Sequence, residues 1–225
     1  MLFTDRHDAG RQLAGRLLEM KVQDPVVLAL PRGGVPVAFE IARASGAPLD
    51  LVLVRKIGAP FEEELAVGAI AEGEDPDLVT DARLVAGLDI SAAYLEKAKS
   101  AALREIERRR RVYFGNRQPV EIAGRTAIVV DDGVATGATM LAALGATRRR
   151  DPALIVLAVP VAPEHTLERL RREVDQIVCL DTPADFMAVG EFYWQFPQLR
   201  DDEVIALLDQ ARAFAPSARP GGRHR

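Results

Sequence analysis

Ala127-Ile128-Val129-Val130-Asp131-Asp132-Gly133-Val134-Ala135-Thr136-Gly137-Ala138-Thr139-Met140 is the stretch whose reading decides the fold. Its four leading apolar residues, rich in β-branching, predict a buried strand; two carboxylates close the strand, and a loop of small residues opens into a helical run. Strand, small-residue loop and helix together make a phosphate site. The loop N–H groups point at an anion, and the helix start adds about half a positive charge without any basic side chain. Asp131 and Asp132 are acceptors only when ionised, so they suit hydroxyls or a metal beside the phosphate rather than the phosphate itself. Two nucleotide motifs do not fit. A P-loop needs Lys after its second glycine, where Ala138 stands, and the dinucleotide fingerprint needs a third glycine beyond Gly133 and Gly137.

Working upstream, Val26 to Leu30 reads as a short buried strand, followed by Pro31-Arg32-Gly33-Gly34. Two glycines let the backbone approach a ligand closely, and Arg32 offers a permanently charged fork for phosphate oxygens; a plain tight turn is the alternative. Leu49 to Val54 reads as the next strand, ending in Arg55-Lys56, which is either a solvated strand exit or a second basic contribution to a site. In open α/β sheets ligands sit beyond the carboxyl ends of the strands, so Arg32, Arg55-Lys56 and Asp131-Asp132 are expected to converge.

The remaining elements alternate. Phe3 to Met20 has helical spacing with Thr4 or Asp5 as N-cap, and Val35 to Ser45 is a helix stopped by Gly46. Ile57 to Glu64 reads as a loop carrying Glu62-Glu63-Glu64, and Leu65 to Ile70 as a strand. Ser91 caps a long helix to Phe114, whose Arg108 to Arg111 suit its C-terminal dipole and need no ligand. Thr139 to Arg150 is the helix leaving the phosphate loop; Leu154 to Val161 and Gln176 to Leu180 are strands on either side of a helix from Pro163 to Arg172. Asp201 or Asp202 caps a last helix to about Phe214. This alternation predicts an α/β fold with a mainly parallel sheet flanked by helices.

The composition agrees. Of 225 residues 48% are hydrophobic but only 5% aromatic, so the core is built from Ala, Val, Leu and Ile, as in parallel sheets covered by helices. A formal net charge of −4 argues against nucleic acid as the principal partner. The lone Cys179 lies in an apolar run, so it forms no intrachain disulfide and reads as a buried structural thiol. No apolar run reaches the ~18 residues of a membrane span, and the N-terminus is unlike a signal peptide, which together predict a cytoplasmic protein without a membrane partner. His7, His165 and His224 are dispersed and form no metal cluster with Cys179.

The run Val129 to Thr139, in which an apolar strand, two acids and a Thr-Gly-x-Thr loop follow one another, resembles the phosphoribosyl pyrophosphate motif of type I phosphoribosyltransferases. Pro31-Arg32-Gly33-Gly34 resembles the pyrophosphate loop of the same family. The resemblance implies a Rossmann-like type I phosphoribosyltransferase fold in a single unit over residues 1–214. A helical insertion would occupy about 81–118 and a hood over the acceptor about 182–199, with 215–225 left as a disordered tail. It also implies a cis peptide between Pro31 and Arg32 and a mobile catalytic loop between the strands on either side of Ile57 to Glu64.

For the site, the resemblance implies that Asp131 and Asp132 hold the ribose hydroxyls. Gly133, Val134, Ala135, Thr136, Gly137, Ala138 and Thr139 would wrap the 5′-phosphate, while Arg32, Gly33, Gly34, Arg55 and Lys56 face the pyrophosphate. The catalytic set would be Arg32, Lys56, Asp131 and Asp132, with Mg²⁺ bound through the substrate rather than by direct protein ligands. Asp185 to Gly190 faintly resembles the purine-binding segment of hypoxanthine-guanine phosphoribosyltransferases, which nominates Phe186, Val189 and Phe192 for the base; packing at a sheet edge or a dimer contact is the other reading of these aromatics. The implied activity is transfer of ribose 5-phosphate from phosphoribosyl pyrophosphate to a nucleobase-like nitrogen, in a possible homo-oligomer. A non-catalytic phosphoribosyl pyrophosphate-binding regulator is the alternative, and a hydrolase using the Asp pair is a weaker third.

Overall fold

A computed structural model describes residues 2–73, 76, 78–115 and 117–214, with the side chains of Glu63 and Glu64 left out. The tail expected at 215–225, and the side-chain direction of most of the acidic run, therefore lie outside the described residues. In chain order the elements are α1 (Arg6–Glu19), β1 (Pro25–Ala29), α2 (Gly34–Ser45), β2 (Leu49–Leu51), β3 (Val54–Ala59), β4 (Glu62–Ala71), β5 (Leu78–Thr80), α3 (Ala82–Gly87) and α4 (Ala92–Phe114). They continue with β6 (Thr126–Val130), α5 (Ala138–Arg148), β7 (Leu154–Val161), α6 (Glu164–Leu170), β8 (Gln176–Asp181), a 3-10 turn at Val189–Phe192 and α7 (Asp201–Ala211).

Five strands form a parallel sheet in the order β2-β1-β6-β7-β8. Strand alternation divides the core into two faces. Val27, Ala29, Ile128, Val130, Val156 and Ala158 pack with Val37 and Ile41 of α2 and with Leu13 and Leu17 of α1. Val26, Leu28, Ala127, Val129, Ile155 and Leu157 pack with Met140, Ala143 and Leu144 of α5. Because side chains of successive strand residues point to opposite faces, the continuous apolar runs of β1, β6 and β7 are what a sheet covered on both sides requires. β1 and β6 are neighbours in register, Ala29 opposite Val130, yet the chain leaves β1 toward β2 and leaves β6 toward β7. The loops after these two strands thus open side by side where the strand order reverses, which is the usual ligand position in such sheets.

The caps follow local chemistry. The Asp5 carboxylate accepts the Asp8 N–H at 2.7 Å and starts α1. Gly46 ends α2 in the left-handed region at φ +66°, and Ser91 accepts the Tyr94 N–H at the start of α4. The last helix departs from expectation: Arg200 is its N-cap, with its N–H bonded to the Glu203 carboxylate at 2.8 Å.

Two larger corrections concern the middle of the chain. Leu49 to Val54 is not one strand. β2 stops at Leu51, Val52 still donates to the Ala29 carbonyl at 2.9 Å, and a separate antiparallel sheet of order β3-β4-β5 begins at Val54. Both halves of the run are buried, one in each sheet, and periodicity cannot distinguish two buried environments joined end to end. Accordingly Arg55 and Lys56 stand inside β3, opposite Ile70 and Ala69, rather than at a core strand's exit. The expected loop at Ile57 to Glu64 is instead mostly strand, a hairpin turning at Pro60-Phe61 with register shifts around Gly58. The second correction is Arg110. It is not a solvated member of the arginine run: its guanidinium donates twice to Glu72 at 2.9 Å and lies 3.7 Å from Asp50, binding α4 to the sheet.

Candidate active site

The two loops meet in atomic contact. A Cβ on Gly33 would lie 2.1 Å from Asp132 Oδ2, and one on Gly34 would lie 2.7 Å from the Val130 carbonyl. Any side chain there would collide with the acids or with the end of β6, so these glycines are required by the approach of the first loop to the second. The peptide between Pro31 and Arg32 is cis, as the family resemblance implies.

Asp131 and Asp132 are held differently. The Asp131 carboxylate accepts the Asp132 N–H at 2.8 Å. Burial, reinforced by the charge of Asp132, raises its pKa well above the ordinary carboxylate value. Burial raises Asp132 too, opposed by the Arg6 guanidinium, whose Nε donates to Oδ2 at 2.7 Å. The Tyr193 hydroxyl donates to the Asp132 carbonyl at 2.5 Å, and burial pushes its own pKa upward.

Beyond the acids, Gly133 fits against Val189 and Val161, a Cβ there lying 2.6 Å from Val189. Val134 donates to the Val161 carbonyl at 3.0 Å. The loop is then held from below by α6: Thr166 Oγ1 donates to the Ala135 carbonyl at 2.6 Å and Arg169 to that of Thr136 at 3.3 Å. Gly137, at φ +80°, turns the chain into α5. Among the described residues no acceptor takes the N–H groups from Ala135 to Thr139, so the loop presents a row of open donors at a helix start.

A cleft of about 440 Å³ opens beside this junction, with Gly33 and Asp132 at its base and Arg6, Arg32 and the segment Phe196 to Leu199 around it. Arg32 is half-exposed and lies 3.8 Å from Asp201 at the start of α7. Asp201 also accepts the Tyr113 hydroxyl at 2.7 Å, which with burial pushes Tyr113 up to about 12. Arg55 and Lys56 are exposed on the hairpin and do not line the cleft. Phe186 and Phe192 stack on each other at 5.3 Å, and Val189 closes on Gly133, so the nominated base residues form the packing of the 182–199 segment while Phe196 faces the cleft.

A phosphoribosyl transferase domain model matches residues 5–197. The chain belongs to the phosphoribosyl transferase family. Two Mycobacterium tuberculosis proteins, from strains CDC 1551 and H37Rv, carry the provisional name phosphoribosyl transferase and are 48% identical over 215 residues, 95% of this chain. The chain spans about half the length of these curated relatives, 48% of each. The crystal structure of TT1426 from Thermus thermophilus superposes with a TM-score of 0.77 at 42% identity, covering 96% of this chain and all of that one.

Within this phosphoribosyl transferase domain, one site neighbour escaped the sequence reading, Arg6, whereas Tyr193 and Phe196 lie in the 182–199 segment expected as a hood without having been nominated for the base. Arg6 nonetheless left a signal. It sits on the same helical stripe as Ala9, Leu13 and Leu17, the buried face of α1, where a charge demands a partner. Cys179, expected as a buried structural thiol, is half-buried and donates to the Asp181 carbonyl at 3.2 Å, and burial pushes it up to about 11. His7 pairs with the buried Glu40 at 2.8 Å, away from the cleft.

Proposed function

We propose that the chain binds phosphoribosyl pyrophosphate and transfers its ribose 5-phosphate to a nitrogen of a base-like acceptor, releasing pyrophosphate. The observation that carries this reading is the contact between Gly33-Gly34 and Asp131-Asp132 beside a loop of open N–H donors, which gives three parts of one ligand three different walls. The Ala135 to Thr139 donors and the Thr136 and Thr139 hydroxyls cradle the 5′-phosphate. Asp131 and Asp132 accept from the ribose hydroxyls by charge-assisted bonds worth about 1.5–3 kcal/mol each. Arg32 and the Gly33-Gly34 backbone face the pyrophosphate. In the reaction the C1–oxygen bond breaks with its electron pair leaving on pyrophosphate, and the acceptor nitrogen forms the new bond to C1. Charge developing on the leaving group is what preorganised donors stabilise. Lys56, exposed within β3, reaches this group only when the hairpin moves toward the cleft.

Mg²⁺ fits this donor set as a substrate-borne ion. The buried Asp131-Asp132 pair, in which the charge of Asp132 adds to the cost of ionising Asp131, is complementary to a cation brought in with the phosphate and hydroxyl oxygens. Such an ion supplies neutralisation of the pyrophosphate charge; Asp131 and Asp132 would lie nearest to it.

A second reading, a regulator that binds phosphoribosyl pyrophosphate without turnover, has one observation in its favour. The one aromatic ring that lines the cleft, Phe196, stacks on Tyr193 and carries the Arg6 guanidinium at 3.7 Å, so among the described residues no bare ring faces the cleft for a base. Calorimetric titration with phosphoribosyl pyrophosphate and Mg²⁺, followed by pyrophosphate release with a panel of purine and pyrimidine bases, decides between them. Binding with release supports the transferase, binding without release on any base supports the regulator, and no binding at millimolar ligand sinks both.

A further inference from the structure

Arg6 is only 8% exposed although it lies in the first turn of α1. Its Nε donates to Asp132 at 2.7 Å, its terminal nitrogen donates to the Pro197 carbonyl at 2.9 Å, and its guanidinium plane lies 3.7 Å from the centre of the Phe196 ring. One of these contacts belongs to the acid pair and two belong to the segment that walls the cleft. The backbone around Arg6 is anchored as well. Phe3 donates to the Phe192 carbonyl, while the Phe3 and Thr4 carbonyls accept from Trp194 and Gln195 at 2.9 and 3.0 Å. Gly10, one turn on, presses so closely on α2 that a Cβ would lie 2.6 Å from the Val37 carbonyl. The guanidinium therefore has little freedom to leave Asp132, and a planar fork used on three sides is a geometry a lysine cannot reproduce.

We propose that Arg6 is a positioning residue of the donor site, fixing the Asp132 carboxylate for a ribose hydroxyl and tying that carboxylate to the Phe196-Pro197 wall. The inference rests on the phosphoribosyl pyrophosphate reading above. Each carboxylate oxygen can accept more than one hydrogen bond, so Asp132 can keep Arg6 while taking a hydroxyl. Without the guanidinium, Asp132 faces Asp131 with no countercharge, and repulsion turns it from the position in which it lies over Gly33.

The test is calorimetric titration of the full chain with phosphoribosyl pyrophosphate and Mg²⁺, comparing wild type, Arg6→Gln, Asp132→Asn, Arg32→Gln and the two double variants that contain Arg6→Gln. Arg6→Gln is expected to weaken binding by about tenfold. Acting through Asp132, it adds nothing to Asp132→Asn but adds its full loss to Arg32→Gln. Arg6→Lys restores part of the affinity. Losses that add in both double variants, as a merely structural role would give, overturn the proposal, as does an unchanged affinity. Should Arg6→Gln fail to fold by circular dichroism, Phe196→Leu takes its place in the same cycle: a loss absent on the Asp132→Asn background supports the proposal, and an additive loss or none overturns it. A wild-type chain that does not bind phosphoribosyl pyrophosphate defeats the functional reading itself, a result distinguishable from failure of any variant.

Discussion

The two buried carboxylates at the end of β6 are held by different partners. Asp132 has Arg6; Asp131 has chiefly its neighbour's N–H, and burial with the Asp132 charge holds its pKa well above 3.8. A carboxyl whose folded pKa is raised binds its proton more tightly folded than unfolded. Its contribution to stability is therefore complete below the ordinary value near 3.8 and is lost as pH rises through the raised one. Asp131→Asn, which keeps the shape and cannot ionise, is expected to be more stable than wild type by about 1–3 kcal/mol once pH passes that raised value, and to bind the donor more weakly. Thermal melts from pH 4 to 9 check this: the gap between variant and wild type should widen with pH, and a constant gap refutes the assignment. The acids and the glycines that meet them were legible in the sequence because each lies within a few residues of a strand end, where local chemistry is diagnostic. Arg6 was not, because its partner is 126 residues away, and nothing local says which anion a buried arginine on a helical stripe will find.

Among the elements, α4 shows what a charge run can hide. Arg108 and Arg109 pair with Glu105 one turn back, the usual exposed arrangement on a helix. Arg110 turns inward between Asp50, 2% exposed, and Glu72, and stacks 4.8 Å from the Phe114 ring. Burial raises Glu72, and Arg110 is the main force holding it down. Removing the cation leaves two carboxylates without their countercharge, so Arg110→Ala is expected to cost about 3–5 kcal/mol, whereas Arg108→Ala stays within about 0.5 kcal/mol. Urea denaturation at pH 7 measures both, and the Arg110→Ala penalty should shrink in acid as Glu72 takes a proton. The start of α4 could be read from Ser91, which caps it locally; which of four consecutive arginines faces inward depends on the helix's rotation against β3 and β4, a tertiary quantity. The same distinction explains the hairpin. Of its strands only Leu65 to Ile70 was visible as an apolar run, Ile57 to Glu64 having read as a loop; the break between β2 and β3 falls inside the apolar run Leu51 to Val54, and only the second sheet gives it meaning.

At the scale of the whole molecule, the arm before α1 and the segment between β8 and α7 meet at one place. Phe3, fully buried, is paired in parallel with Tyr193, and Tyr193 in turn bonds the Asp132 carbonyl in the middle of the chain. The segment 192–196 has few attachments of its own to the five-stranded sheet. Its backbone bonds run to Phe3 and Thr4, and its rings pack on Phe3, Val161 and one another. The N-terminal arm therefore supplies the backbone partners that hold the cleft wall in place. Phe3→Ala removes the ring that fills this junction, a truncation that costs about 3–5 kcal/mol in a packed site. The cost should appear as local opening rather than as general loosening. Hydrogen exchange is expected to accelerate at the Trp194 and Gln195 amides, which bond the Phe3 and Thr4 carbonyls, while the amides of β1, β6 and β7 keep the protection allowed by global stability. Trp194, the only tryptophan and 76% exposed, reports the same event by fluorescence. If the wall is held by the arm, donor affinity falls in Phe3→Ala along with Trp194 protection; equal acceleration across the core strands would show instead that arm, wall and sheet form one cooperative unit.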